Sequence, residues 1–474
     1  MAETIKTDIA VIGGGSAGLS VAAGAAMLGR PTVLFERGEM GGDCLNSGCV
    51  PSKALLAAGH AAYHGHHAQH FGITQNGAGV DFAAVNKHVH DVIAGIAPVD
   101  SQERFEGLGV KVVRETARFI DPQTVQAGDT KVQARRFVIA AGSRPAAPPI
   151  PGLNDVAYHT NETIFTLTER PDHLIIIGGG PIGMEMAQAH RQLGSAVSIV
   201  DLGTIMPKDD PELVEVVRKT VTGQGVSLYE QVKVDSVEKT EGGVAVTITE
   251  NGETHRIDGS HLLVAAGRVP NVDGLGLDEG GIRYDKCGIK VNDGLKTTNK
   301  KVYAIGDIIG GPQFTHIGGY HASLVIRNAL FRAPAKVDYS ALPWVTYTDP
   351  ELANVGMTED QAQKKYADIS VVRWSFGEND RARAERRVEG HVKAIVRKNG
   401  TVVGAAIVGP KAGELIQTWG LMISAGIKLS KLASLIAPYP TLGEVNKRAA
   451  SAFFTPKLFS DRTRKLVDFL AKFG

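Results

Sequence analysis

Two stretches of this chain, 165 residues apart, carry the same turn: Asp8-Ile-Ala-Val-Ile-Gly-Gly-Gly-Ser-Ala-Gly18 and His173-Leu-Ile-Ile-Ile-Gly-Gly-Gly-Pro-Ile-Gly183. Each runs from an apolar stretch through G-x-G-x-x-G into a small-residue helical pattern. A second apolar run follows in each, Thr32–Phe35 and Val197–Val200, and each ends on an acid, Glu36 and Asp201. Gly13 matches Gly178, Gly29 matches Gly194 and Glu36 matches Asp201, all at the same offset. One such turn is weak evidence, because glycine joins strands to helices in many folds. Two with the same internal spacing and both acids specify two Rossmann-like units in an α/β protein. The glycines let backbone approach a pyrophosphate at a helix N-terminus. The acid accepts hydrogen bonds from a ribose diol. Gly13, Gly15, Gly18 and Glu36 therefore form one dinucleotide site, and Gly178, Gly180, Gly183 and Asp201 a second. Two such sites in one chain imply electron transfer between them. Asp201 is followed by Leu-Gly-Thr-Ile-Met-Pro, without an arginine for a 2′-phosphate, which favours NAD(H); Lys208 leaves NADP(H) open. The first site is then read as that of the other dinucleotide, FAD.

Composition removes several alternatives. The chain has 474 residues, room for about three domains at roughly 150 residues each. Its 51 Lys+Arg balance 50 Asp+Glu, so no basic excess exists to neutralise nucleic-acid phosphates, and no nucleic acid partner is expected. The start, Met1 to Asp8, is polar and lacks the apolar centre of a signal peptide. No apolar run reaches the ~18–20 residues of a membrane span. Three cysteines cannot form a secreted disulfide framework. A cytoplasmic protein is expected.

Two of the three cysteines, Cys44 and Cys49, lie in Gly41-Gly-Asp-Cys-Leu-Asn-Ser-Gly-Cys-Val-Pro-Ser-Lys53. On an ideal helix, Cα atoms five residues apart are about 8.6 Å apart, and a disulfide needs less than about 7 Å. A bridge here requires a distorted turn, which Asn46, Ser47 and Gly48 tolerate. A small strained loop makes a bridge reducible rather than structural. Two unrelated core cysteines are the plainer alternative, but their place in a glycine-rich loop beside a dinucleotide turn argues for a redox pair. Lys53 lies one helical turn beyond Cys49, suited to stabilising a thiolate or a reduced flavin.

The segment Gly41–Lys53 resembles the redox-active motif of the class I pyridine nucleotide–disulfide oxidoreductases. That family includes dihydrolipoamide dehydrogenase, glutathione reductase and mercuric reductase. Further marks follow in order: Phe137-Val-Ile-Ala-Ala-Gly-Ser-Arg-Pro145, Leu262-Leu-Val-Ala-Ala-Gly-Arg-Val-Pro-Asn271, Val302-Tyr-Ala-Ile-Gly-Asp307 and Thr441-Leu-Gly-Glu444. The resemblance covers essentially the whole chain. It implies two Rossmann-like dinucleotide-binding domains and a C-terminal α+β dimerisation domain. The boundaries expected are 1–150 (FAD, first part), 151–274 (NAD(P)), 275–345 (return to the FAD domain) and 346–474 (dimerisation). It also implies a homodimer in which Tyr439 and Glu444 reach the disulfide of the other subunit.

The chemistry implied is electron flow from NAD(P)H through FAD to a Cys44–Cys49 disulfide, then to a small-molecule disulfide, thiol or similar acceptor. Cys49 would be the thiolate beside the flavin and Cys44 the thiol that exchanges with substrate. Lys53 and Glu185, in Gly183-Met-Glu185, match an ion pair near the flavin. Glu36 and Asp307 would hold its ribose and ribityl hydroxyls, with Gly42, Lys53, Ala117, Gly142 and His316 lining the cofactor. Gly267 would join the NAD(H) site.

The chain also departs from the pattern. Glutathione reductase and dihydrolipoamide dehydrogenase place a proton-shuttling His five residues before the Glu that matches Glu444; here Tyr439 stands there. A phenol of pKa near 10 is a poor shuttle beside an imidazole near 6.5. Mercuric reductase has Tyr in the matching Ala-Pro-Tyr context, yet no cysteine follows Cys287 here to receive a metal ion. A thiol–disulfide oxidoreductase is therefore the leading reading, with reduction of a mercuric-type soft metal ion or a quinone, or a slow redox-sensing flavoprotein, as alternatives. Pro181 replaces a gating Tyr, so an open nicotinamide site is expected. Asp43 replaces the usual Thr and either raises the neighbouring thiol's pKa or hydrogen-bonds the loop. His60, His64, His66, His67 and His70 read as a solvated helix without a metal site. Val392–Val396 and Val402–Val408, around Asn399-Gly400, read as a β-hairpin. Arg381–Arg387 reads as a surface hairpin.

Overall fold

The computed structural model describes residues 4–74 and 79–473. The first repeat folds as β1 (Thr4–Ile12), α1 (Ser16–Met27) and β2 (Thr32–Phe35). The strands are parallel, from Ile9 beside Thr32 to Ile12 beside Phe35, and both are buried there. Burial on both faces is why these runs are almost wholly apolar. Gly13 makes the turn at φ +109°, where a Cβ would lie 2.4 Å from the Ala140 carbonyl oxygen. Gly178 repeats this at φ +113°, with the Ala265 oxygen at 2.5 Å. Only glycine fits either place, so the duplication extends to the chain that crowds each turn.

Downstream come α2 (Gly42–Asn46), α3 (Cys49–His66), β3 (Val110–Val113), β4 (Ala117–Asp121), β5 (Thr124–Ala127) and β6 (Thr130–Ile139). They complete a sheet of order β3-β2-β1-β6-β5-β4. The second repeat supplies β7 (His173–Ile177), α4 (Pro181–Gln192), β8 (Ala196–Val200), α5 (Pro211–Gly223) and β9 (Val226–Tyr229). β8 and β9 pair in parallel, as do β7 and β10 (His261–Val264). β11 (Val302–Ala304) then lies parallel to the end of β6, and α6 (Thr315–Ala329) follows it.

The C-terminal part is an antiparallel sheet built from β12 (Pro343–Thr346), β13 (Glu351–Gly356), β14 (Ile369–Ser375), β15 (His391–Arg397) and β16 (Val402–Gly409), in the order β12-β13-β16-β15-β14. Helices α7 (Ala412–Ser424) and α8 (Glu444–Leu458) share its apolar core. Buried Trp419 of α7 donates from Nε1 to Asn446 Oδ1 of α8 at 2.8 Å. β15 and β16 are the hairpin expected around Asn399-Gly400. The hairpin expected over Arg381–Arg387 is instead a short helix, Asp380–Ala384. Asn379 caps it by accepting from Ala382 N at 2.9 Å, and Arg381 pairs with Glu385 one turn on. Basic density had concealed a cap and an i,i+4 pair, both of which favour helix.

The chain divides into two compact units. One comprises the described residues up to Gly178, with Leu193–Ser195 and Lys233–Val337; the other comprises Gly179–Gln192, Ala196–Val232 and the described residues from Asp338. Among the described residues, no helix is long and apolar enough to cross a membrane.

Candidate active site

In each repeat the terminal acid is pinned by its own turn. Glu36 Oε2 accepts from Gly14 N and Oε1 from Gly38 N, both at 2.6 Å. Asp201 Oδ2 accepts from Gly179 N at 2.5 Å and Oδ1 from Gly203 N at 2.7 Å. A carboxylate has about four lone-pair sites, so each acid keeps acceptors for a diol. The N-terminus of α1 has no side-chain cap and no acid in its first turn. Its orphan N–H groups suit an external anion. A Cβ on Gly142 or Gly180 would meet open space. These features fit bound dinucleotides.

The sulfur pair is built onto the first turn. Gly41 N donates to Gly14 O at 2.9 Å, and a Cβ on Gly42 would lie 2.8 Å from Gly15 Cα. Asn46 holds the short helix by donating to Met40 O and Gly42 O. Cys44 lies within α2 and Cys49 opens α3. They stand as thiols, Cys44 partly buried and Cys49 exposed. Cys49 Sγ lies 3.2 Å from the hydroxyl of Thr315, which opens α6. Two helix N-termini thus converge on Cys49 and favour its thiolate. The Cys44 thiol is pushed upward by its hydrogen bond with Cys49, then by burial and by Cys49's charge; Thr315 opposes this and Asp43 adds to it. Lys53, one turn along α3, donates to Ser52 Oγ at 3.3 Å.

Asp307 Oδ2 accepts from Ser143 Oγ at 2.6 Å and lies 3.9 Å from Arg268 Nε. Burial raises its carboxyl, against Ser143 and Arg268. The preceding residue, Gly306, donates its N–H to Nδ1 of buried His321 at 3.1 Å. Burial pushes that imidazole down to about 4. His316 lies in the first turn of α6, its ring stacked on Phe314 with centroids 5.3 Å apart. Ala117 is buried at the start of β4, and Gly267 is at φ +120° with open space beside it.

The second unit holds Gly180, Gly183, Glu185, Asp201, Tyr439 and Glu444. Glu185 is buried in α4 and accepts from Tyr347 N at 3.0 Å. Pro181 is the first residue of α4, a position that leaves proline's missing N–H without cost. Tyr439 donates to Asp380 Oδ2 at 2.9 Å, and Glu444 sits in the first turn of α8. Among the described residues, no three His, Cys, Asp or Glu side chains are placed to share a metal ion. Sequence reasoning missed the contacts of Ser143, Asn161, Thr315, His321 and Asp380. Thr315 meets a cysteine 266 residues away, and no periodicity records such a contact.

Residues 7–322 match the family described as pyridine nucleotide-disulphide oxidoreductase, and residues 342–450 match that family's dimerisation domain. A dihydrolipoyl dehydrogenase from Geobacillus stearothermophilus is 36% identical over 462 residues, covering 95% of this chain and 97% of the relative. A mercuric reductase from Lysinibacillus sphaericus is 34% identical over 449 residues, covering 94% and 82% respectively. Among solved structures, LpdA from Mycobacterium tuberculosis aligns with TM-score 0.86 at 26% identity, covering 94% of this chain and 99% of that one. The Cu(II) complex of the HOCl-induced flavoprotein disulfide reductase RclA from Escherichia coli aligns with TM-score 0.83 at 27% identity and the same coverage.

Proposed function

The chain belongs to the class I pyridine nucleotide–disulfide oxidoreductase family, and from that premise we propose that it uses NAD(P)H and FAD to reduce a Cys44–Cys49 disulfide that serves an outside acceptor. The observation that carries this reading is the seating of the cysteine-bearing helix on the first glycine turn, through Gly41 N to Gly14 O. Residues 1–150 and 275–345 are proposed as the FAD domain, 151–274 as the NAD(P) domain and 346–474 as the dimerisation domain of a homodimer. The cytoplasm, a reducing compartment, is the proposed setting.

Bound FAD supplies a two-electron relay between nicotinamide and sulfur. Gly13, Gly15, Gly18 and Glu36 would hold its nucleotide end; Gly42, Lys53, Ala117, Gly142, Asp307 and His316 would hold the remainder. Gly178, Gly180, Gly183, Asp201 and Gly267 would take NAD(H). Lys53 and Glu185 are proposed as an ion pair at the reacting end. Cys49, at a helix N-terminus with the Thr315 hydroxyl beside it, is suited to hold negative charge. Cys44 is then the thiol that exchanges with the acceptor. The leading acceptor class is a small disulfide, which leaves as the thiol form. The phenol of Tyr439, held by Asp380, favours one second reading: a soft metal ion, which takes electrons and no proton.

Anaerobic NADH titration of the purified holoprotein tests this. One equivalent should expose two titratable thiols per chain and produce a long-wavelength thiolate–flavin band, and turnover with an acceptor should follow. Flavin bleaching without new thiols would overturn the reading. Thiols and the band without rapid turnover on any acceptor would point to the redox-sensing alternative.

A further inference from the structure

Asp43, immediately before Cys44, sits in a network the proposed reaction does not use. Its Oδ1 accepts from Asn161 Nδ2 at 2.8 Å and from Ser47 Oγ at 3.0 Å. Its Oδ2 lies 3.3 Å from Arg268 Nη2. Asn161 also donates to Ser47 O at 3.0 Å, so both ends of the turn are tied to one side chain. Arg268 continues the network: Nη1 donates to Asn161 Oδ1 at 3.3 Å, and Nε donates to Ser143 Oγ at 2.8 Å. Ser143 in turn donates to Asp307.

We propose that Asp43 is a positioning residue of the redox turn: it latches the helix of Cys44 to Arg268, the guanidinium that also braces Asp307, and it sets a carboxylate beside Cys44 so that the reduced pair keeps its proton there and its charge on Cys49. The proposal rests on the reading of Cys44 and Cys49 as a redox pair. One guanidinium faces two carboxylates, Asp43 at 3.3 Å and Asp307 at 3.9 Å, so it cannot neutralise both. The groups facing Cys44 are Asp43 from its own helix, Cys49 from α3 and Thr315 from α6. Arg268 and Asp307 stand behind Asp43. The α3 N-terminus at Cys49 and the carboxylate at Cys44 push the charge the same way, while the Thr315 hydroxyl, which reaches both sulfurs, opposes Asp43 at Cys44. The balanced step is disulfide plus two electrons plus one proton giving Cys44–SH and Cys49–S⁻, with electrons from NAD(P)H and the proton from solvent. Gly48 completes the latch, since a Cβ there would lie 2.8 Å from Asp43 O and 3.1 Å from Asp43 Oδ2.

The test alkylates holoprotein reduced chemically with a phosphine, using iodoacetamide, and follows Cys44 by mass spectrometry across the neutral pH range. Asp43→Asn keeps the size and polar contacts but removes the charge. Cys44 should then alkylate about threefold faster at neutral pH, a shift of about half a pH unit in its midpoint. Asp43→Glu restores the charge and should return the rate toward wild type. Asp43→Thr, a second neutral variant, should behave as Asn does and covers the case in which Asn fails to fold. Equal Cys44 rates in the wild type and in a folded neutral variant would overturn the proposal, as would equal acceleration in the Glu variant. Because reduction is chemical, failure of NADH to expose the two thiols would instead sink the proposed electron route, so the two failures remain distinguishable.

Discussion

Tyr439 donates its phenol hydrogen to Asp380 Oδ2 across 2.9 Å. Asp380 opens a short helix whose cap, Asn379, donates from Nδ2 to Thr441 O at 3.0 Å. The partner is thus fixed to the segment that carries Tyr439. The hydrogen bond to Asp380, then the charge on Asp380, and last the charge on Glu444 push the phenol above its ordinary value. A phenol so placed gives a hydrogen bond and takes up no proton at neutral pH.

Dihydrolipoamide should therefore be a slow substrate for the wild type. General acid–base catalysis contributes roughly 10²–10⁴-fold where a group titrates near the working pH. Tyr439→His should raise kcat/KM for NAD⁺-dependent dihydrolipoamide oxidation by about tenfold or more. The measurement is steady-state kinetics of both proteins. A wild type already as fast as the His variant would contradict this account.

NADH should outcompete NADPH. Asp201 is held by Gly179 N and Gly203 N, so its charge cannot swing away from a ribose 2′-phosphate. We expect a ratio of kcat/KM values of about tenfold or more, and a smaller ratio in Asp201→Asn, where the repelling charge is gone. A preference for NADPH in the wild type would contradict this.

How much was legible in the sequence follows from what forces each residue. Gly13 and Gly178 were legible because backbone crowding admits nothing else, and their strands because burial on both faces requires unbroken apolar runs. The antiparallel hairpin of β15 and β16 was announced by Asn399-Gly400. The helix at Asp380–Ala384 was misread because its signal is one cap and one ion pair within a basic stretch. The circuit through Asp43, Asn161, Arg268 and Asp307 was not legible. Asn161 lies 118 residues from Asp43, and a polar pair made by tertiary folding leaves no spacing to detect.

Lys393 should prove a stability hub of the second unit. Its side chain is 4% exposed, and Nζ lies 2.6 Å from Asp210 Oδ2, 2.9 Å from Glu212 Oε2 and 2.8 Å from Glu359 Oε2. Removing the ammonium leaves buried Asp210 without its cation and Glu212 and Glu359 sharing Arg373, and breaking a buried pair in this way costs about 3–5 kcal/mol. Lys393→Ala should show that loss in denaturant unfolding near neutral pH. Glu212 is held down at about 2, first by its hydrogen bond from Arg373. Its contribution is complete above its unfolded value of about 4.5 and disappears as pH falls toward about 2. The wild-type advantage over Lys393→Ala should shrink across that acid window. A loss below about 1 kcal/mol would show that the cluster is solvated in solution.

His321 should make the first unit acid-sensitive in a different window. The side chain is 1% exposed, Nδ1 accepts from Gly306 N, and burial lowers its pKa to about 4. The unfolded imidazole titrates near 6.5, so between about 6.5 and about 4 the unfolded chain binds a proton that the folded chain refuses. Stability is complete above that range and falls as pH drops through it, by about 3 kcal/mol for a shift of about 2.5 units. His321→Gln keeps an oxygen acceptor for Gly306 N and cannot take the proton. The pH dependence of its unfolding should be flatter than wild type by about that amount. Because Gly306 leads directly into Asp307, release of flavin, followed by its fluorescence, should accelerate in the wild type over the same range and less in the variant. Parallel pH curves for the two proteins would mean that His321 is not the group that loosens this turn.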